Sequence, residues 1–139
     1  GIDLEAIPGT PIYAVADGEV RIAKAPNSNY PYGNSLVLVV GIDDLPPAQA
    51  AQFKKLKPGR KTLGFYYAHL SEFAAENKAK VYAGAVSGKT GCSGNAAGMT
   101  TLEEGAHLHF EVRQDALLRC TGLKNRVDPL PFINTCTNR

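Results

Sequence analysis

The chain has 139 residues, of which 44% are hydrophobic and 20% are charged, and its formal net charge is +2. This length and balance are typical of one globular domain with a single core, and they exclude a disordered or fibrous chain. The small net charge gives no sign of a nucleic-acid partner, and no apolar run approaches the length of a membrane span. A short basic stretch at 54–61 is interpreted as a solvated loop, because basic runs alone are weak evidence for a binding site.

Short β-rich runs alternate with turn residues along the whole chain. Many short strands bounded by turns indicate an antiparallel sheet, sandwich or barrel-like domain. The predicted strands cover residues 12–16, 19–23, 35–40, 63–69, 80–82 and 107–113. A helix is predicted at 48–56, where Pro46 and Pro47 suit the first turn, and a second short helix is predicted around 70–76. The first helix lies in a long excursion, 42–62, which we interpret as a surface insertion in one domain spanning residues 1–139.

The predicted strand at 107–113 carries two of the three histidines of the chain. Apolar and polar residues alternate in it without a break, which is typical of a strand with one face on a core. Because side chains at i and i+2 of a strand point to the same side, His107 and His109 share one face with Glu111 and Arg113. Imidazole is a common metal ligand and proton carrier, whereas the plainer interpretation is a pair of surface histidines. Glu111 and Arg113 are expected to form a surface ion pair.

Two further residues carry chemistry near strand ends. His69 ends the predicted strand at 63–69, and Asp3 stands between the apolar residues Ile2 and Leu4. Burial of a carboxylate there would require a partner. Each residue also has a simpler interpretation, since Asp3 suits a turn or cap and His69 suits a strand end on the surface.

Taken together, these residues lie in runs that resemble the lysostaphin-type zinc metallopeptidases, which are peptidoglycan endopeptidases. The resemblance covers most of the chain in order, and several runs match nearly residue for residue. The matching runs are Gly1-Ile2-Asp3-Leu4, residues 9–20, Gly33-Asn34, residues 67–71, residues 91–95, residues 105–113 and Asp128-Pro129.

The resemblance implies both a fold and a site. The implied fold is mainly β, an antiparallel sheet or sandwich with a substrate groove, like a duplicated hybrid motif, with one or two short helices in insertions. The family holds zinc through an HxxxD motif and the second histidine of an HxH strand, which here assigns Asp3 and His109 as metal ligands. Its two other histidines correspond to His69 and His107, the implied catalytic residues. We therefore expect these four side chains to converge on one cleft.

The chain departs from the family pattern in three places. The histidine of the HxxxD motif falls two residues before Gly1, so we expect a truncated N-terminus and a longer parent protein. The excursion at 42–62 is able to narrow or roof one end of the groove. Cys92 stands in a glycine-rich turn where small or polar residues are expected.

The implied activity is zinc-dependent hydrolysis of a peptide bond in peptidoglycan stems or cross-bridges, of the DD- or glycyl-type. The expected partner is a peptidoglycan peptide, the expected location is periplasmic, cell-wall-associated or secreted, and the domain is expected to be monomeric. The alternative is a metal-free module of the same fold that binds and activates other cell-wall hydrolases. A phosphocarrier domain with paired histidines is a more distant alternative.

The three cysteines are too few for a disulfide-built scaffold. Cys120 and Cys136 flank the segment with Asp128-Pro129, and both lie outside the matching runs. We predict that they form a disulfide, which would add roughly 3 kcal/mol in a chain-entropy model. Cys92 would then remain a free thiol.

Overall fold

The computed structural model of the protein describes residues 1–27, 30–118 and 124–133. Within these ranges the chain forms an antiparallel sheet, two α-helices and two short 3-10 helices (Ile42–Asp44 and Gly94–Ala96), which confirms the predicted fold class. The strands are β1 (Ile2–Glu5), β2 (Pro11–Tyr13), β3 (Gly18–Ala23), β4 (Asn34–Gly41), β5 (Thr62–Phe73), β6 (Lys80–Val81), β7 (Val86–Thr90), β8 (His107–Arg113) and β9 (Arg126–Val127), and the helices are α1 (Pro47–Leu56) and α2 (Leu130–Ile133). No helix among the described residues has both the length and the apolarity needed to cross a membrane.

The main path of the sheet runs in the order β1-β8-β5-β4-β3-β6. Off this path, β2 pairs with β7, β7 also pairs with β5, and β9 pairs with β8. The two longest central strands, β4 and β5, consist mostly of apolar residues. This composition is expected because most of their residues are buried, on both faces of the sheet. The sheet thus places β8 between β1 and β5, which is the position that matters for the histidines.

The second predicted helix, around 70–76, is wrong. Residues 70–73 continue β5 as a strand, because β7 pairs with that end in the register Leu70↔Thr90, Glu72↔Lys89 and Phe73↔Gly88. The helix predicted at 48–56 is confirmed as α1, one residue longer at its start. The local sequence does not reveal the pairing with β7. The backbone of β7 supplies the hydrogen-bond partners that hold residues 70–73 extended.

The sheet has a large apolar core on one face and a smaller cluster on the other, formed by Val37, Tyr66, Ala68 and Ala116. The large core includes Leu38, Phe65 and Phe110, and Phe65 and Phe110 stack with ring centroids 6.0 Å apart. Phe53 of α1 packs on this core and meets Phe132 of α2 at 6.2 Å. The helix of the 42–62 excursion therefore covers the core face of the sheet, and it does not roof the face that carries His107 and His109.

Of the two cysteine predictions, only the one for Cys92 concerns a residue that the structure describes. Cys92 is a free thiol within the described part of the chain. The predicted bridge between Cys120 and Cys136 lies outside the described residues, so it stays a prediction.

Candidate functional site

Asp3 and the two histidines of β8 meet through the pairing of β1 with β8. The register places Asp3 opposite His109 and Glu5 opposite His107. The carboxylate oxygen Oδ1 of Asp3 lies 3.0 Å from Nδ1 of His109 and 3.7 Å from Nε2 of His107. Residues more than 100 positions apart are therefore in contact across two neighbouring strands.

His69 reaches the same place through a bulge in β5. Tyr67 faces the large core and Ala68 faces the smaller cluster, so strict alternation would return His69 to the core. The register between β4 and β5 shifts here, and His69 has a positive φ of 60°, which is rare for a residue other than glycine. Bulges of this kind re-aim a side chain. The His69 ring consequently lies 5.0 Å from that of His107 and 6.1 Å from that of His109, between ring centroids.

Two glycine-containing loops hold the bulge in position. Nδ1 of His69 lies 2.8 Å from the carbonyl oxygen of Ser93, and the Ser93 hydroxyl donates to the carbonyl of Leu70 at 2.9 Å. Gly94 has a φ of 67°, and a Cβ there would lie 2.3 Å from the Gly33 nitrogen. The close backbone contact between the loops explains why the runs Gly33-Asn34 and 91–95 carry glycine, a role that sequence reasoning did not assign.

We expect Gly94→Ala to destabilise the protein by about 1–3 kcal/mol more than Gly98→Ala. Gly98 also has a positive φ, of 84°, but a Cβ there would meet no atom within 4 Å, so it reports the backbone cost alone. The extra cost at Gly94 comes from overlap with the Gly33 backbone. Denaturant unfolding of both variants measures the difference, and equal losses would contradict the proposed loop contact.

Hydrogen bonds to backbone carbonyls fix the tautomers of His69 and His107. A carbonyl only accepts, so Nδ1–H of His69 donates to Ser93, and Nδ1–H of His107 donates to Gly105 at 2.7 Å. In the neutral rings Nε2 then carries the lone pair. Burial lowers the pKa of His69, and the neighbouring histidines act in the same direction, while the Ser93 hydrogen bond opposes them. The neutral form of His69 is therefore favoured, with an Nε2 able to accept a proton.

Glu111 is buried behind His109, which corrects the expected surface ion pair with Arg113. Its side chain is 3% exposed, and Oε1 accepts from Nε2 of His109 at 2.8 Å. Oε2 accepts from Nε of Arg113 at 2.9 Å and lies 2.8 Å from Nε of Arg126. Burial opposes ionisation of this carboxyl, but His109 and the two arginines outweigh it, so the pKa of Glu111 is about 2. Alternation correctly put Glu111 and Arg113 on the polar face. The side chains of Arg126 and Tyr32 contact Glu111 on that face, and both residues are distant from it in sequence.

The hydrogen bond to Glu111 orients His109. It raises the pKa of His109, against the effect of burial, and Asp3 acts in the same direction as Glu111. The Tyr32 ring lies against the imidazole, with centroids 5.5 Å apart, and its hydroxyl is 3.3 Å from Oε1 of Glu111. Sequence reasoning missed both Glu111 and Tyr32 as partners of His109. The spacing of Glu111 two residues after His109 on one strand face was the available signal for Glu111.

The atoms shared by Asp3 and His109 suit a cation. When Nε2 of a neutral His109 donates to Glu111, its Nδ1 carries a lone pair that faces the Asp3 carboxylate at 3.0 Å. Two such acceptors require a proton or a metal ion between them. Carboxylate oxygen and imidazole nitrogen are zinc ligands, and a carboxylate behind a ligating histidine is a common supporting contact.

These two residues supply only part of a metal site. Among residues 1–27, 30–118 and 124–133, no group of three His, Cys, Asp or Glu residues is arranged to hold a metal ion. The donor set therefore fits zinc through two ligands, a carboxylate oxygen and an imidazole nitrogen.

Comparisons with known proteins give a family match and several similar solved structures. The sequence profile of peptidase family M23 matches residues 54–129. The catalytic domain of the antimicrobial peptidase lysostaphin from Staphylococcus simulans is 25% identical with a TM-score of 0.58, and the match covers 96% of this chain and 77% of that one. LytU is 29% identical with a TM-score of 0.59, and the match covers 97% of this chain and 72% of that one. No curated protein matches the chain by sequence.

A third solved structure shows the same fold. It is a mutant catalytic domain of the prophage-encoded M23 protein EnpA from Enterococcus faecalis, 24% identical with a TM-score of 0.58. The match covers 93% of this chain and 74% of that one. At this identity the likeness describes the fold alone.

Proposed function

This chain belongs to peptidase family M23, and we propose that it is a zinc-dependent endopeptidase that hydrolyses peptide bonds in peptidoglycan stems or cross-bridges. The observation that carries the proposal is the meeting of three imidazoles and one carboxylate on one face of the sheet. A module that only binds has no chemical need for all four groups in contact. We further propose that the domain acts outside the cytoplasm, at the cell wall, in the periplasm or after secretion, and acts as a monomer.

In this proposal Asp3 and His109 hold the zinc ion together with the predicted upstream histidine. When bound, zinc polarises the scissile carbonyl and brings the pKa of its water towards neutrality. Glu111 keeps Nε2 of His109 protonated, so that Nδ1 remains available as a ligand. Arg113 and Arg126 in turn hold the Glu111 carboxylate in place.

His107 and His69 carry the proton transfers in this proposal. Nε2 of His107 is directed towards Asp3, and the Gly105 carbonyl fixes the ring, which supports His107 as the general base. His69 faces it from β5 and is favoured in the neutral form, so it would donate only after receiving a proton. A protonated His69 of lowered pKa is a good donor to the leaving amine, and the same Nε2–H would stabilise a developing oxyanion.

The test is the metal content and peptidase activity of the protein with a histidine placed two residues before Gly1. We expect it to bind about one zinc per chain, since catalytic zinc sites use three protein ligands, and to release peptides from purified peptidoglycan. The matched control has alanine in that place. We expect it to bind zinc more than ~10-fold more weakly, because losing a ligand costs more than losing a supporting contact.

The outcomes separate the proposed function from its alternative. Zinc content is measured by atomic emission and peptide release by new amino groups. A histidine form that binds no zinc and leaves peptidoglycan intact would favour the metal-free binding module. A form that binds zinc tightly with alanine in the upstream place would show that His69 or His107 is a ligand.

A further inference from the structure

An open cavity lies on the histidine face of the sheet, beside the candidate site. Its volume is about 490 Å³, within the range of small-ligand sites. The cross-strand row Arg21–Val37–Tyr66 lines its floor, and this row continues to Glu111 on β8. The row next to it in the sheet contains His109 and Asp3, so the cavity and the candidate site share one continuous surface.

The cavity is lined by cations and phenol rings. Among the described residues that line it none is acidic, whereas three are arginines and three are tyrosines: Arg21, Arg113, Arg126, Tyr30, Tyr32 and Tyr66. A concave surface with this lining attracts negative charge, because low-dielectric walls strengthen the field of the arginines.

Two arginines lie at the inner end of the cavity and share one carboxylate. The side chains of Arg113 and Arg126 are 8% and 12% exposed, and both contact one carboxylate oxygen of Glu111. Glu111 also accepts the hydrogen bond from His109 on its other oxygen. Two mostly buried guanidinium groups therefore contact the same carboxylate beside the cavity.

The orientation of Arg113 leaves hydrogen-bond donors for a ligand. Its Cζ lies 3.7 Å from the centroid of the Tyr66 ring, so the flat face of the guanidinium is occupied by stacking. A guanidinium has five N–H donors along its edge, and Nε of Arg113 is the one that reaches Glu111. The fork of an arginine edge matches the two oxygens of a carboxylate.

We propose that this cavity binds a carboxylate group of the peptide substrate, about four residues from the bond that is cleaved. Arg113 stands four residues along β8 from His109, which is about 13 Å at the rise of a strand. An extended peptide covers that distance in about four residues. This inference rests on the proposed function for its substrate, and it assigns to the peptide a free C-terminal or side-chain carboxylate.

Arg21 provides the clean variant, because it lines the cavity without contacting Glu111. Its side chain is 36% exposed and pairs with Glu19. Arg60 is the matched control, since it is 40% exposed, lies 3.8 Å from Asp115 and does not line the cavity. Substituting Arg113 or Arg126 would disturb the support of His109, so these residues are left unchanged.

The experiment titrates the protein with acetyl-tetraalanine carrying a free C-terminus, with its C-terminal amide, and with an amide that contains one glutamate. Arginine Nε–H signals in NMR spectra report binding. We expect at least one charged peptide to shift the signals of Arg113 and Arg126 while the uncharged amide does not. Arg21→Gln should weaken this binding about three- to tenfold, and Arg60→Gln should leave it unchanged.

The charged peptide that binds more tightly identifies the source of the carboxylate. Equal shifts from all three peptides, no shift from any, or equal weakening by Arg21→Gln and Arg60→Gln would overturn the inference. Binding does not require catalysis, so a protein that binds the charged peptide but leaves peptidoglycan intact refutes the proposed function alone. Cleavage of peptidoglycan without preference for charged peptides refutes the carboxylate site alone.

Discussion

Zinc and peptidase activity should disappear together when His109 is replaced by alanine. His109 supplies one of the two proposed metal-binding atoms, and these two atoms lie 3.0 Å apart. Its loss leaves Asp3 and the predicted upstream histidine, and we expect zinc affinity to fall by more than the ~10–100-fold typical of losing a supporting contact. Metal content by atomic emission and peptide release from peptidoglycan, both in the protein with the upstream histidine, measure the two effects.

The fold should survive this substitution. Glu111 loses its hydrogen bond from His109 but keeps Arg113 and Arg126, so its buried charge remains compensated. We expect a loss of about 1–3 kcal/mol in the free energy of unfolding. A folded His109→Ala protein that keeps full zinc would mean that His109 is not a ligand. A protein that is unfolded would instead assign His109 a structural role.

His107→Ala should keep the metal and lose most of the rate. General acid–base catalysis contributes ~10²–10⁴-fold, and we expect kcat to fall by that factor. Nε2 of His107 lies 3.7 Å from Oδ1 of Asp3. However, His107 stands opposite Glu5 in the strand pairing, whereas the proposed ligand His109 stands opposite Asp3. Measurement of kcat together with bound zinc distinguishes loss of a base from loss of a ligand.

His69→Ala is the natural comparison, since its ring lies 5.0 Å from that of His107. If His69→Ala lost far more rate than His107→Ala while both kept zinc, the two proton-transfer roles would be exchanged. If His107→Ala lost its zinc, His107 would be a ligand. Full activity in His107→Ala would contradict the assignment of a base at this position.

The sequence by itself determined which residues share a face of β8. Alternation with a period of two is a local property of an extended chain, so His107, His109, Glu111 and Arg113 lie on the same side whatever packs against them. The same local reasoning located α1, since the two prolines and the following run favour a helix start. The pattern of matching runs also carried the family assignment, which the M23 profile and the solved structures support.

Only the tertiary structure decided what covers that face and where His69 points. Arg126 and Tyr32 contact the Glu111 carboxylate, which is buried. The strand pattern alone predicted only that Glu111 lies on the polar face of β8, which is equally consistent with an exposed side chain. His69 faces the other histidines because the pairing of β5 with β4 contains a bulge, which alternation along β5 cannot reveal. Burial and strand register depend on partners that are far apart in sequence. The pattern of one strand therefore predicts which of its side chains share a face, but it does not predict what packs against that face.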